Sequence, residues 1–180
     1  PPPTPTPPPP PPPPQVFCIA KVAYDHTVGN HQAIMASIFK GITGVDFVGT
    51  QSTWEVVGFQ RADFTTDLRG GGMYGPLQML YLVTAHKPFV GKLYTLSQDH
   101  VQNFPLMAQS LTMTARTMQA LRFGKLNALA VAKGSTYAAA NLFFCGLWFE
   151  FLQAWTSRGS TIADMHYVME HVTQVCNKNP

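Results

Sequence analysis

The chain has 180 residues and a formal net charge of +3, and only 12% of its residues are charged, against about 25% in an average soluble domain. So slight a positive excess is too small to argue for nucleic-acid binding, which requires a concentrated basic stripe. The three cysteines (Cys18, Cys145 and Cys176) have no Cys-x-x-Cys spacing, which indicates neither a disulfide framework nor a zinc site and favours a reduced intracellular setting.

Residues 1–14 are proline at every position except Thr4 and Thr6. Because proline fixes φ and lacks an N–H donor, this run predicts a polyproline II rod outside the domain core. Such rods bind aromatic grooves, so SH3, WW or EVH1 domains and profilin-like proteins are the expected readers of Pro1–Pro14, with a stiff spacer as the alternative. We predict a polyproline tail or linker over residues 1–15 and one globular domain over residues 16–180.

The first part of the domain predicts one helix and a long loop. Val16–Tyr24 alternates weakly and is expected to be a short extended segment. From His31, isoleucines at every fourth position predict a helix that ends at Gly44. Residues 45–72 are rich in Gly, Thr, Asp and Gln and are expected to form a loop, with one helical turn at Trp54–Val57. The isoleucines are Ile34, Ile38 and Ile42.

Four more helices are predicted by apolar periodicity. The first starts beyond Gly72 and stops at Pro88, and the second runs from Pro105 to Gly124. The third covers residues 137–156, too short an apolar run to span a bilayer. The fourth follows Gly159. The expected inward residues are Met73, Leu77, Leu80, Tyr81 and Thr84 in the first, Met107, Leu111, Thr114, Met118 and Leu121 in the second, and Ile162, Met165, Met169, Val172 and Cys176 in the fourth.

The pattern as a whole predicts an all-α protein of four to six helices, since no run of alternating β-branched residues is found. Thr161 and Asp164 have the spacing of a capping box at the start of the fourth of these helices.

The segment from Trp54 to Gly70 carries the most informative pattern, an arginine that follows two acids and precedes a glycine run. It resembles the central motif of the ELMO (engulfment and cell motility) domain family. The family pattern has proline where this chain has Phe64. The resemblance covers about residues 31–176 and implies an all-α ELMO domain. The matching positions are Trp54, Gly58, Phe59, Gln60, Asp63, Thr66, Asp67, Arg69 and Gly70.

The resemblance implies a catalytic role for Arg69, the position of the catalytic arginine in the family branch that stimulates Arf-type and Arf-like GTPases. A GTPase hydrolyses GTP slowly because the charge that builds on the transferred phosphoryl group lacks a cation, and an arginine supplied in trans provides one. The alternative is an arginine held by Asp63 or Asp67 to fix the glycine turn.

The other motif residues are expected to support the loop or contact the partner. Trp54 and Phe59 are expected to anchor the loop in the core. Gln60 is expected to bond the loop backbone, although a glutamine can also orient water in GTP hydrolysis. Phe64 removes the fixed φ of a proline, so we expect a less preorganised loop. The remaining positions suit turns, helix starts and close backbone approach: Gly58, Asp63, Thr66, Asp67 and Gly70.

The resemblance therefore implies a cytoplasmic GTPase-activating protein, without a cofactor or metal of its own, that binds a GTP-loaded Arf-like GTPase and reaches membranes through that partner. The alternative is a non-catalytic scaffold, like the ELMO proteins that partner DOCK exchange factors in Rac activation, phagocytosis and cytoskeletal remodelling. The proline run suits a scaffold, whereas the chain shows neither an armadillo-like nor a pleckstrin-homology region.

Other motifs are weaker. The glycines at 70–75 spell G-x-G-x-x-G without a preceding strand, so no dinucleotide site is expected. Lys125 follows Gly124 without the rest of a P-loop. His166 and His171 lie five residues apart, off the i, i+4 spacing of a helical zinc site. No nucleophile set for substrate turnover is found.

No acidic residue lies between Asp99 and Glu150, whereas four basic residues do. Such a segment suits an anionic membrane or the acidic rim of a partner. The spacing puts the four charges on different helix faces, however, and favours a solvated surface. The residues are Arg116, Arg122, Lys125 and Lys133.

Overall fold

The computed structural model describes residues 15–48, 53–60 and 63–180, and over these residues all regular secondary structure is helical, which confirms the all-α prediction. Pro1–Pro14 lies outside the described residues, so the polyproline rod stays a prediction. Two 3₁₀ helices cover Phe64–Gly70 and Ile162–Asp164. The nine α-helices of the described residues are α1 (Gln15–Ile19), α2 (Gly29–Thr43), α3 (Thr53–Val56), α4 (Tyr74–Ala85), α5 (Lys87–Ser97), α6 (Leu106–Arg122), α7 (Asn127–Lys133), α8 (Thr136–Ser157) and α9 (Met165–Lys178).

The longest helix, α8, forms the centre of the core. Most of its large side chains are buried because α4, α6, α7 and α9 pack around it, whereas Leu142 and Phe149 are exposed. Phe104, which precedes α6, packs edge-to-face on Phe151 and Trp155, and the Trp155 indole N–H donates to the Gln102 carbonyl at 2.8 Å. Across residues 15–48, 53–60 and 63–180, none of the helices combines the length and apolar character that a membrane crossing requires.

Several predicted helices are confirmed together with their ends. Gly44 follows α2 with a φ of 77°, the left-handed conformation that a glycine adopts without strain. The helix predicted after Pro105 is α6, and Gly124 lies just beyond its end. The third and fourth predicted helices are α8 and α9, and the helical turn at Trp54–Val57 corresponds to α3.

The prediction of an extended segment at Val16–Tyr24 is wrong over its first half. Residues from Val16 to Ile19 belong to α1, because burial of Val16 against Tyr74, Met118 and Ala140 favours a helical turn. This small apolar cluster fixes α1 beside the start of α4 and the end of α6.

Pro88 does not end the helical region as predicted. The preceding helix ends at Ala85, and Pro88 lies in the first turn of α5, where a missing N–H costs nothing. The prediction of four to six helices is therefore too low, since neither α5 nor α7 was expected. The helix α7 is short, is apolar on more than one side and buries none of its residues, so periodicity could not reveal it.

The predicted inward faces are partly wrong. In α4 the buried residues include Gln78, Met79, Leu82 and Val83, whereas Leu77, Leu80 and Tyr81 are half-buried and Thr84 is exposed. The helix is apolar nearly all round, so periodicity alone could not choose its face. Ile162 is also exposed, whereas Met169, Val172 and Cys176 are buried as predicted.

The predicted capping box is present at Thr161 and Asp164. The Asp164 carboxylate accepts hydrogen bonds from the Thr161 amide at 2.9 Å and the Thr161 hydroxyl at 3.1 Å. We expect Thr161→Ala to lower the free energy of unfolding by about 1 kcal/mol, because the hydroxyl that bonds the Asp164 carboxylate in the capping box is lost. Urea denaturation measures this loss. Thr161→Ser keeps the oxygen and should keep the stability; equal losses in both variants would contradict the prediction.

Candidate functional site

Three aromatic side chains of the Trp54–Gly70 segment form one buried cluster. The ring centroid of Trp54 lies 5.9 Å from that of Phe59 and 4.8 Å from that of Phe64, and the last two are 5.2 Å apart. All three side chains are at least nine-tenths buried. Phe64, which departs from the expected proline, therefore holds the segment to the core by packing.

The backbone at Gly58 is seated on the start of α6. The carbonyls of Val57 and Gly58 accept hydrogen bonds from the amides of Met107 and Ala108, both at 3.0 Å. These amides are available to bond the preceding turn because amides in the first turn of a helix have no intrahelical acceptor. Gly58 has a φ of 90°, and a Cβ there would lie 2.6 Å from the Pro105 carbonyl carbon. Glycine is required at this position for both reasons.

We call the 3₁₀ helix Phe64–Gly70 the arginine segment. Asp63 precedes it, and its carboxylate accepts from the Thr65 amide at 3.0 Å and the Thr65 hydroxyl at 2.6 Å. The Thr66 hydroxyl donates to the Asp63 carbonyl at 3.3 Å. Phe64 and Leu68 are buried beneath it. The segment is thus capped at its start and held by two apolar side chains.

The Asp67 carboxylate links the arginine segment to the preceding turn. It accepts a hydrogen bond from the backbone amide of Gln60 at 3.0 Å. The Gln60 side chain is exposed. Beyond the segment, the Met73 amide donates to the Val22 carbonyl at 2.8 Å. Gly72, with a φ of 49°, lets the backbone after α1 pass so closely that a Cβ would clash with the Ala20 and Val22 carbonyl oxygens.

The side chain of Arg69 is exposed, unlike Leu68 beside it. Among the described residues it forms no hydrogen bond or ion pair, and neither acid of the motif holds it. The pKa of Asp63 is lowered mainly by hydrogen bonds from Thr65, and the charge of Arg69 makes the smallest contribution. The sequence left open the alternative that Asp63 or Asp67 holds Arg69 in place. In the described residues, neither carboxylate bonds to Arg69.

Two clefts flank the arginine segment. One, of about 300 Å³, lies between the segment and residues 20–24 and is lined by Arg69 and Lys21. The other, of about 380 Å³, lies between the segment and α6 and is lined by Asp67, Gly70 and Arg116. Gly70 itself is exposed. The cleft beside α6 thus combines an exposed glycine with Arg116, and the other cleft is lined by two basic side chains.

Sequence reasoning missed Lys21 and Arg116 as neighbours of this site. Their proximity depends on packing of the arginine segment against α6 and against the chain after α1, and no local motif signals either contact. Gly71 lies against Thr114, so that a Cβ added to the glycine would be 3.5 Å from the Thr114 methyl. This contact places Arg116 about half a turn further along α6.

No second chemical centre is found in the described residues. These contain no group of three or more His, Cys, Asp and Glu side chains that could hold a metal. His171 lies 3.6 Å from Glu150, its partner on α8. Burial raises the pKa of Cys145 to about 12 and that of Cys176 to about 11, so both thiols are poor nucleophiles at neutral pH. The glycine run at 70–75 follows a 3₁₀ helix, not a strand.

The link between Asp67 and Gln60 can be tested directly. We expect Asp67→Ala to speed amide hydrogen exchange at Gln60 and to lower the free energy of unfolding by about 1 kcal/mol, because a charged acceptor is lost at a partly exposed site. Asp67→Asn keeps an acceptor oxygen and serves as the control. Protection at Gln60 that is unchanged in Asp67→Ala would show that the bond is not formed in solution.

Comparison with known proteins supplies a family. The family model described as "ELMO/CED-12 family" matches residues 15–169. The chain is 30% identical over 169 residues, 92% of its length, to ELMO domain-containing protein 3 of Mus musculus and to that of Homo sapiens. It is 21% identical over 104 residues, 57% of its length and 8% of the relative, to Ankyrin repeat and ELMO domain-containing protein D of Dictyostelium discoideum. No solved structure matches the chain.

The aligned region spans 44% of the mouse and human relatives. The similarity therefore concerns this domain alone. It does not extend to the activity or the partners of any longer protein. The family match includes the aromatic cluster, the arginine segment and both clefts.

Proposed function

Because the chain belongs to the ELMO/CED-12 family, we propose that it accelerates GTP hydrolysis on an Arf-family or Arf-like GTPase by supplying Arg69 in trans. The observation that carries this proposal is the exposed side chain of Arg69, which no described residue engages. The arginine segment beneath it is held in place by its buried residues and by the Asp63 cap. The protein would complete the active site of its partner and would have no substrate pocket of its own.

The chemistry requires an arginine at this position. Negative charge spreads over the oxygens of the transferred phosphoryl group in the transition state, and a cation placed against them lowers the barrier. The guanidinium is planar and permanently charged, and it donates two parallel hydrogen bonds to phosphate oxygens. A lysine provides charge without this fork.

The surroundings of Arg69 support such a role. The buried side chains of Phe64 and Leu68, the Asp63 cap and the Asp67–Gln60 bond fix the backbone that carries the arginine. A fixed backbone reduces the entropy that the side chain loses when it enters a partner's site. In this proposal, packing of the buried Phe64 side chain compensates for the fixed φ of the proline that the family pattern has there.

The two clefts supply the contact surface in this proposal. The exposed Gly70 allows close approach of a partner's backbone. Lys21 and Arg116 add positive charge on either side of the arginine segment, which would attract the phosphates and acidic groups around a bound nucleotide.

A panel of purified Arf-type and Arf-like GTPases loaded with GTP tests the proposal. Single-turnover hydrolysis is followed by phosphate release with and without the protein. We expect at least one member to be accelerated by about 10³-fold or more, the scale of an arginine supplied in trans. Binding of GTP-loaded members without any acceleration would instead support the scaffold alternative and contradict the proposal.

The role of Arg116 in partner attraction is a separate prediction. We expect Arg116→Gln to raise severalfold the concentration of protein that gives half-maximal stimulation, most strongly at low salt, and to leave the maximal rate unchanged. Titration of the responsive GTPase at two ionic strengths measures both quantities. Arg158→Gln, at an arginine that lines neither cleft, is the control. A loss of maximal rate in Arg116→Gln would contradict the assignment.

A further inference from the structure

The turn from α6 into α7 carries exposed apolar side chains that no described residue covers. We call residues 122–133, from Arg122 to Lys133, the α6–α7 tip. Phe123 is 70% exposed and Val131 is 83% exposed. Single exposed apolar residues are ordinary on protein surfaces, so the remaining composition of the tip decides whether these two have a role.

Part of the exposed surface of α7 is apolar, although Asn127 and Lys133 of the same helix are also exposed. Leu126 is buried, and Leu129 and Ala130 are half-buried on the side that faces α8. Three exposed residues of α7 are apolar, whereas a surface helix normally directs mostly polar residues to solvent. These exposed residues are Ala128, Val131 and Ala132.

The charges of the tip have one sign. Arg122, Lys125 and Lys133 are exposed and form no ion pair with another described residue. No acidic residue occurs from position 100 to position 149. The Arg122 guanidinium lies 5.5 Å above the ring of Phe17, so α1 positions it. The tip thus presents exposed apolar side chains beside basic ones and contains no acidic residue.

We propose that the α6–α7 tip docks on an anionic membrane surface. Phe123 and Val131 enter the headgroup region, where an aromatic ring and an aliphatic side chain leave water. Arg122, Lys125 and Lys133 remain at the level of the lipid phosphates and carboxylates, to which basic side chains near a bilayer are attracted. This assignment is independent of Arg69 and of the proposed GTPase activity.

Charge complementarity favours a lipid surface over a protein partner. A protein interface of mixed charge would use acceptors as well as donors at its rim, and the tip offers no carboxylate. The position of the tip agrees with a peripheral contact. From Thr114, which faces the arginine segment, α6 rises by roughly 14 Å to Phe123, so the tip and the arginine segment lie at different levels of this helix.

The spacing of the basic residues in the sequence favours a solvated surface, and this proposal replaces that interpretation for the α6–α7 tip. The spacing separates the four basic residues of the segment, and Arg116 indeed lines a cleft beside the arginine segment. The other three lie at the end of α6, in the turn that follows it and at the end of α7, in the same tip as apolar side chains whose exposure could not be read from the sequence.

Cosedimentation with vesicles tests the proposal on the whole chain. Vesicles of phosphatidylcholine alone are compared with vesicles in which about one third of the lipid is phosphatidylserine. We expect at least about fivefold more protein on the anionic vesicles at low salt. Phe123→Ser with Val131→Ser should reduce this binding by about tenfold, and Lys125→Gln with Lys133→Gln should reduce it to the level of neutral vesicles.

Tyr167→Ser provides a matched control, because Tyr167 on α9 is 69% exposed, close to the value for Phe123. It should bind anionic vesicles as the wild type does. All variants should keep the wild-type melting temperature, since the changed side chains are exposed. Equal binding to both vesicle types, or full binding by the double variants, would overturn the proposal. Weakened GTPase binding in solution by the Phe123 and Val131 variants, without vesicle binding by the wild type, would make the tip a protein interface and also overturn it.

Discussion

Replacement of Arg69 by alanine should lower the stimulated rate of GTP hydrolysis by about 10³-fold or more, to near the intrinsic rate of the GTPase. Arg69→Lys should recover little of this loss, because an ammonium group cannot make the paired hydrogen bonds of a guanidinium. The side chain is exposed and without a partner among the described residues, so neither change should alter the free energy of unfolding by more than about 0.5 kcal/mol.

Single-turnover phosphate release from the responsive GTPase measures this effect. Arg158→Lys is the matched control, at another exposed arginine, and should stimulate like the wild type. Thermal unfolding of each variant separates a loss of chemistry from a loss of fold. Full stimulation by Arg69→Lys would show that the residue contributes charge alone or nothing.

Replacement of Gly58 by alanine should be the most destabilising small change in the region, at roughly 3 kcal/mol. A left-handed φ of 90° costs an alanine about 1–2 kcal/mol, and overlap of its Cβ with the start of α6 adds about 1–3 kcal/mol. The overlapping atoms belong to the Pro105 and Leu106 backbone, so no side-chain rotation can relieve the clash.

Urea denaturation of Gly58→Ala and Gly91→Ala gives a test with opposite signs. Gly91 lies within α5, is exposed and has no atom within 4 Å of an added Cβ. Alanine there should raise the free energy of unfolding by about 0.5–1 kcal/mol through helix propensity. Gly58→Ala as stable as the wild type would show that the turn is not seated on α6 as described.

The helices that were predicted correctly have long apolar stripes and clear ends. In α6 the stripe of Met107, Thr114 and Met118 is buried, with Pro105 before it and Gly124 after it. Helices without such a stripe were missed. The short helix α7 buries none of its residues, and Pro88 was interpreted as an end although it lies in the first turn of α5. A proline signals a helix boundary, and only the flanking sequence decides which end it marks.

The arginine segment shows how far a local pattern reaches. Its Thr, Asp and Gly content predicts a loop, whereas the structure has a 3₁₀ helix there, capped by Asp63 and with Phe64 and Leu68 buried. The resemblance pointed to Arg69, but the exposure of its side chain depends on which hydrogen-bond donors the carboxylates of Asp63 and Asp67 bind. Asp63 accepts from Thr65 and Asp67 accepts from Gln60, and these choices follow from backbone geometry that the sequence does not display.

Contacts between distant parts of the chain could not be predicted at all. The proximity of Arg116 and Lys21 to the arginine segment requires α6 and the chain after α1 to pack on either side of it. The exposure of Phe123 and Val131 likewise depends on how α7 lies on α8. Recognition of Pro1–Pro14 by SH3, WW, EVH1 or profilin-like proteins stays a prediction, since those residues lie outside the described part of the chain.

Formation of a transition-state complex tests the proposed role of Arg69 most directly. GDP with aluminium fluoride imitates the phosphoryl group in transfer, and an arginine supplied in trans stabilises this state selectively. The responsive GTPase should form a stable complex with the wild-type protein only when both ligands are present, and no such complex should form with Arg69→Ala. A complex that forms equally well with Arg69→Ala would contradict the proposal, because the phosphoryl charge would then be neutralised by another group.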